Sequence, residues 1–360
     1  EPHHSRLEAL GDAVLSVVAS HHAFAAFPWG DEGVLSDARC GVIGTKLFAL
    51  FSLQLGLPAL LHHGDRMPSG ALYADATDKR ERLARECLES FFGAIYLDRG
   101  LGPCRSLLAK LVFPLARDLP LRRAWLAAAR RPYSPPDTAP RDLEAEEDAA
   151  MAAFEEANGI AFRHFGLLRQ AFTHPSVYHA VVVPGLGTGW HPSARVPLGH
   201  GAVAGAVDPR LHNQRLEWLG DALLNLAACD FALHYFPESH EEPVTLLRTA
   251  LVNNAVLIGA AVRCGMHRCV RHKDALFEEE GSRTRGKMLA DAFEAFLGAL
   301  YLDRQPLGLG LAAVKAFTAA TLFEEETDAT VDERRWMDPK ARLQHCLNEF
   351  SALTGARLSK

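Results

Sequence analysis

The chain has 360 residues, of which 48% are hydrophobic and 23% charged, and a formal net charge of -6 at pH 7. That balance excludes a disordered or fibrous chain, and the length suits two or three globular domains. A net negative chain does not hold nucleic acid by bulk electrostatics, so any phosphate contact must be local.

No uninterrupted apolar run of about eighteen residues is present to cross a membrane. The first residues, "EPHHSRLEAL", carry neither a basic leader nor a cleavage site. The expectation is a soluble chain with no membrane partner. The cysteines at 40, 87, 104, 229, 264, 269 and 346 are odd in number, and most lie in apolar helical runs, which favours a reducing compartment.

In chain order, the first signature is "RLEALGDAVL" from Arg6. Leu7, Leu10, Val14 and Val17 recur at three- and four-residue spacing, which predicts a helix with Glu8 and Asp12 together on another face. A second helix follows in "RECLESFFGAIYLDRG" (Arg85 to Gly100), with Glu86 and Glu89 sharing a face. Residues 119–150 read as an exposed linker, Pro-rich and then acidic in "RRPYSPPDTAPRDLEAEEDA".

The same order then repeats. "FGLLRQAFTHPS" (Phe165 to Ser176) leads into a stretch, 181–210, rich in Gly, Pro, Ala and Val and read as a surface insertion. "RLEWLGDALL" follows from Arg215, with Leu216, Leu219, Leu223 and Leu226 on one face and Glu217 and Asp221 on another. "ADAFEAFLGALYLDRQ" (Ala290 to Gln305) carries an apolar stripe of Phe293, Phe296 and Leu300 beside Asp291 and Glu294. Glu8 to Glu217 spans 209 positions and Glu89 to Glu294 spans 205, so a whole domain is duplicated nearly in register. Between them, "CGMHRC" (Cys264 to Cys269) lacks a second ligand pair at zinc-finger spacing and reads as two buried thiols rather than a metal site.

Glycines suggest how the acidic helices meet. Gly11 and Gly220 precede the Asp of each signature, and Gly93 and Gly298 lie one turn beyond the second Glu. A helical glycine costs about 1 kcal/mol relative to alanine. Close backbone approach of the two helices offsets that cost and gathers four carboxylates per copy. Such a cluster needs cations to remain ionised, and a hard divalent ion with oxygen ligands is the natural occupant.

These motifs resemble the signature helix, the second acidic helix and the leading segment of ribonuclease III domains. The resemblance implies an all-α fold of two ribonuclease III endonuclease domains, at 1–118 and 151–325, paired as an intramolecular pseudo-dimer. Residues 336–360, through "DPKARLQHCLNEFSALTGARLSK", look like the beginning of a double-stranded-RNA-binding domain, while the first domain is expected to lack its start. Tandem domains restrict the likeness to Drosha-like and Dicer-like members. "FEEANGIAFRHFGLLRQAFT", "LLRTALVNN" and "WMDPKARLQHCL" favour the Drosha-like branch, which would place the protein in the nucleus.

The implied chemistry is hydrolysis of phosphodiester bonds in double-stranded or hairpin RNA, each site cutting one strand. Magnesium, with manganese as an alternative, is the implied cofactor, and a double-stranded-RNA-binding protein is an implied partner. The resemblance assigns Glu217, Asp221, Asp291 and Glu294 to catalysis in the second domain, with Glu217, Asp291 and Glu294 as metal ligands. In the first domain the matching residues are Glu8, Asp12, Glu86 and Glu89, with Glu8, Glu86 and Glu89 as ligands. Glu86 departs from the usual Asp, so this site is either adapted or weakened.

The residue after the signature Glu is commonly a Phe that plugs into the partner domain. Trp218 can take that role or fill its own core; Ala9 cannot plug. Arg82, Arg285 and Lys287 are candidates for holding the scissile RNA strand, against the plainer reading of a solvated face. A non-catalytic ribonuclease III fold that binds structured RNA is the remaining alternative, and the intact carboxylates of the second domain argue against it.

Overall fold

The computed structural model describes residues 4–28, 30–61, 77–115, 145–178, 210–237, 241–272 and 275–323. The first half comprises α1 (His4–Ala26), α2 (Glu32–Ile43), α3 (Thr45–Gln54), α4 (Thr77–Arg99) and α5 (Leu101–Leu115). The second comprises α6 (Ala145–Ala157), α7 (Phe165–Ala171), α8 (Gln214–Tyr235), α9 (Glu241–Leu251), α10 (Asn254–Arg263), α11 (Ala275–Arg304) and α12 (Gly310–Thr318). Among the described residues strand pairing is limited to one isolated bridge, between Thr173 and Arg271, so the fold is all-α as expected.

Each half is built on one helix pair, α1 with α4 and α8 with α11, and the two signature helices α1 and α8 also pack on each other. This double packing widens the apolar face beyond the stripe read from spacing. Leu10, Val14 and Val17 are buried as expected, but so are Leu15 and Val18, while Leu7 is only half-buried. By length and composition α1 is apolar enough to cross a membrane, yet 67% of that window is buried inside the protein. It is a core helix of the domain pair.

The glycines set the crossing. A Cβ added at Gly11 would lie 1.7 Å from the Glu89 carbonyl oxygen, and one at Gly93 would lie 2.2 Å from that of Leu7. At Gly220 and Gly298 the corresponding distances are 1.8 Å to Glu294 O and 2.3 Å to Leu216 O. Backbone touches backbone where only hydrogen fits, the close approach that the glycine spacing predicts.

Local polar contacts fix the flanking helices. Asp31 caps α2 by accepting from Val34 N at 2.9 Å, and Asn253 caps α10 by accepting from Val256 N at 3.1 Å. The buried Asp303 carboxylate accepts from the amides of Arg163 and His164, at 3.2 and 2.9 Å, just ahead of α7. Phe172 stacks on Phe296 of α11, tying the segment that leads the second copy to its acidic helix.

The expected linker 119–150 ends earlier than its composition suggests. Its acidic end is helical from Ala145, and Asp148 pairs with Arg169 of α7. Most of that linker and of the insertion 181–210, and all of the stretch 336–360, lie outside the described residues.

Candidate active site

In the second half, the crossing of α8 and α11 brings Glu217, Asp291 and Glu294 together, with one oxygen from each lying within 4.8 Å of the others. Burial is the main force on their titration. Glu294 is pushed up to about 9 by desolvation and then by the neighbouring carboxylates Asp221, Glu217 and Asp291. Glu217 is pushed up to about 7, again first by burial and then by Asp291. Asp291 is raised by burial, against the opposing pull of Lys287. Carboxyls held this unwillingly as anions fit a divalent cation, which would supply the missing charge and accept their lone pairs.

Asp221 stands at the margin of that trio. Its Oδ1 accepts from Asn225 Nδ2 at 2.9 Å, and Arg39 of the first half draws its titration down against the effect of burial. Lys287, a candidate RNA contact by sequence, donates to Asp291 Oδ2 at 2.7 Å, with its own side chain 66% exposed. Arg285 is exposed on the same helix.

The other half contributes to this site through α2. Trp218 reaches across the pair: its Nε1 donates to Ser36 Oγ at 2.9 Å, and the Arg39 guanidinium lies 5.1 Å from its ring centre. Trp218 therefore spans the two domains instead of filling only its own core. Ala9 is partly buried against the hydrophobic core. Glu32 meets Gln214 at 3.4 Å and feels the charges of Lys287 and Asp291. Spacing within one copy cannot expose Glu32, Ser36 or Arg39, because their role exists only once the halves pair.

Arg215 is the largest fully buried side chain. It donates to Phe24 O at 3.0 Å, to Phe27 O at 2.8 Å and to Gly30 O, and its guanidinium stacks on the Phe24 ring at 4.5 Å. Arg6 crosses the other way, to Leu233 O at 3.2 Å and to Pro237 O. A signal for this pair was visible, since an Arg opens both signatures.

The first half departs from the second. Among the described residues, Glu8, Asp12, Glu86 and Glu89 form no converging trio like that of the second half. Glu89 is buried, with its pKa pushed up to about 7 chiefly by desolvation, while Glu8 lies 3.9 Å from His4. Arg85 Nε donates to Glu89 Oε1 at 2.6 Å, and its NH2 donates to Asp12 Oδ1 at 3.1 Å. As arranged, this pocket does not fit a divalent ion on the expected ligands: a cationic side chain already holds the ligand Glu89 and bridges it to Asp12. Glu86 is half-buried and Arg82 exposed on the same helix.

The model of the ribonuclease III domain matches residues 5–100 and 214–305, more than half of the chain. The chain belongs to the ribonuclease III family, with the domain present twice. Proteins named Ribonuclease 3 from Homo sapiens and Mus musculus are each 31% identical to it over 347 residues, covering 96% of this chain and 22% of theirs. That from Caenorhabditis elegans is 29% identical over 349 residues, covering 96% of this chain and 28% of its own length. The chain thus spans less than a third of the length of these relatives. A solved structure of Dicer from Giardia intestinalis shares the fold, with a TM-score of 0.52 at 17% identity, over 89% of this chain and 54% of that one.

Proposed function

We propose that this chain is the catalytic portion of a double-stranded-RNA endoribonuclease, hydrolysing phosphodiester bonds with magnesium, or manganese in its place, at the second domain. The observation that carries this reading is the convergence of Glu217, Asp291 and Glu294 within 4.8 Å across a glycine-locked helix crossing. A divalent ion held there supplies Lewis-acid activation of water and neutralises charge developing on the phosphate oxygens. The chain's own contribution is placement. Burial keeps the three carboxylates dependent on a cation, Asn225 orients Asp221 beside them, and Lys287 presents a positive charge at the exposed rim where a phosphate arrives.

Hairpin precursors of small RNAs are the proposed substrates, and a double-stranded-RNA-binding protein in the nucleus the proposed partner and setting. The animal Ribonuclease 3 proteins, alike over nearly the whole chain, favour this over a Dicer-like enzyme that measures from an RNA end. A-form RNA offers backbone and 2′-hydroxyl contacts across its minor groove, so shape governs the choice of duplex.

Strand-specific end labelling of one hairpin, cleaved by the full-length protein with magnesium, tests this reading. Glu294→Gln is expected to abolish cutting of one strand, and a chelator to abolish that same cut. Undiminished cleavage of that strand by a folded Glu294→Gln protein refutes the assignment.

A further inference from the structure

The duplication provides an internal control for each position of the acidic helices. With the 205-residue offset, Glu86 stands over Asp291, Glu89 over Glu294 and Arg82 over Lys287. The residue over Arg85 is Ala290, buried with 1% of its surface exposed. Arg85 is therefore no counterpart of the rim lysine, whose register is already filled by Arg82. It is an added cation, one residue before Glu86.

Its placement is tightly defined. Arg85 spends its guanidinium on three helices: Glu89 on α4 at 2.6 Å, Asp12 on α1 at 3.1 Å and Thr45 Oγ1 on α3 at 3.2 Å. Glu89 is 3% exposed, so on its carboxylate side the shorter of the two ion pairs is sheltered from solvent, and salt screens it less than an exposed pair. A guanidinium stays protonated at any physiological pH, offers only donors, and matches carboxylate oxygens with its planar fork. Its bond to Glu89 takes up a lone pair that a divalent ion would need, and its positive charge repels such an ion from the same pocket. Lys287 in the second domain poses a smaller obstacle: it is mostly exposed, its ion pair among the described residues is with Asp291, and it can turn outward.

We propose that Arg85 is the resident cation of the first domain's acidic pocket, standing where the second domain takes a divalent ion, so that the two halves differ in metal binding and the second carries the metal-dependent cut. This rests on the metal reading of the second domain given above. Glu86, the visible departure in sequence, is then secondary to its neighbour. The ordinary Asp at that position would not restore the pocket while Arg85 bridges Asp12 and Glu89.

Manganese binding to the full-length protein, followed by the loss of the free-ion paramagnetic resonance signal without any RNA, tests this directly. In the native protein, Glu294→Gln is expected to remove the tight manganese binding. Arg85→Ala, which installs the residue found at position 290, is expected to add binding at the first pocket, tightened about tenfold or more and removed again by Glu89→Gln. Arg85→Met keeps the aliphatic stem without the charge and should behave like Arg85→Ala, which guards against a folding defect in either.

Native protein whose manganese binding falls equally with Glu89→Gln and Glu294→Gln, both variants folded, overturns the role of Arg85 and leaves the second site intact. So does a folded pair of Arg85 variants that gain no binding. Manganese binding indifferent to Glu294→Gln overturns the metal reading of the second domain, and this proposal with it.

Discussion

Arg6 and Arg215 make the same crossing in opposite directions. Arg215 donates to the carbonyl of Phe24 at 3.0 Å and Arg6 to that of Leu233 at 3.2 Å, and donors and acceptors alike stand 209 positions apart. The domain pair thus keeps an approximate two-fold relation down to individual hydrogen bonds, and it closes on backbone carbonyls near the ends of the signature helices.

The two crossings differ in burial, and their costs should differ accordingly. Arg215→Met strips charge-assisted donors from three carbonyls in a buried setting and is expected to cost about 3 kcal/mol or more. Arg6→Met, at a half-buried position, should cost nearer about 1 kcal/mol. Urea unfolding of the two variants measures both; equal losses would contradict the asymmetry.

Glycine substitutions separate crowding from propensity. Gly220→Ala places a methyl group 1.8 Å from the Glu294 carbonyl oxygen, so α8 and α11 must part, at a cost of about 3 kcal/mol or more and with weakened manganese binding. Gly41 in α2 has nothing within 4 Å of an added Cβ, and Gly41→Ala is expected to stabilise by up to about 1 kcal/mol. Thermal unfolding of both proteins gives the contrast in sign.

The raised titration of Glu294 has a definite pH signature. Its folded value of about 9 lies above the ordinary 4.5, so the folded protein holds this proton more tightly than the unfolded chain. Without metal, that carboxyl's contribution to stability falls as pH rises from the ordinary value through the folded one. Magnesium competes with the proton, so its stabilising effect should grow with pH across that window. Melting temperatures with and without magnesium, at about pH 6 and about pH 8, should diverge as pH increases. Glu294→Gln should flatten the trend, and a gain that shrinks with pH would refute the linkage.

Trp218 and Ser36 offer a test of the domain contact. Trp218→Phe and Ser36→Ala each remove the 2.9 Å hydrogen bond and should each cost about 1 kcal/mol. Because they remove the same interaction, the double variant should fall short of their sum. Strict additivity in a double-mutant cycle would show that the bond contributes nothing.

What was legible in the sequence follows the range of each interaction. The four helices that carry the carboxylates, and the glycines that let them touch, are local and repeated, so spacing exposed them; Gly11, Gly93, Gly220 and Gly298 lie against backbone as their positions implied. The breadth of the α1 core was not legible: Leu15 and Val18 are buried on a helix that packs both on α4 and on α8, about two hundred positions away, and no single-copy periodicity encodes that second packing. Arg85 was in plain view within "RECLESFF", but an arginine among glutamates on a helix reads as a solvated face until Asp12 and Thr45 are brought to it. The acidic end of the linker misled for the opposite reason: composition marked it as exposed, whereas Asp148 is engaged by Arg169.

The pairing of α1 with α8 joins two halves that occupy one chain. In a dimer of identical subunits every substitution is made twice, and a guanidinium entering one pocket necessarily enters both. Covalent joining removes that constraint. Arg85 faces Ala290 across the repeat, and Glu86 faces Asp291, while the Gly11–Gly93 and Gly220–Gly298 crossings remain matched. The scaffold that both halves need has stayed symmetric while the chemistry placed on it has become free to diverge, so one pocket can specialise without disabling the other.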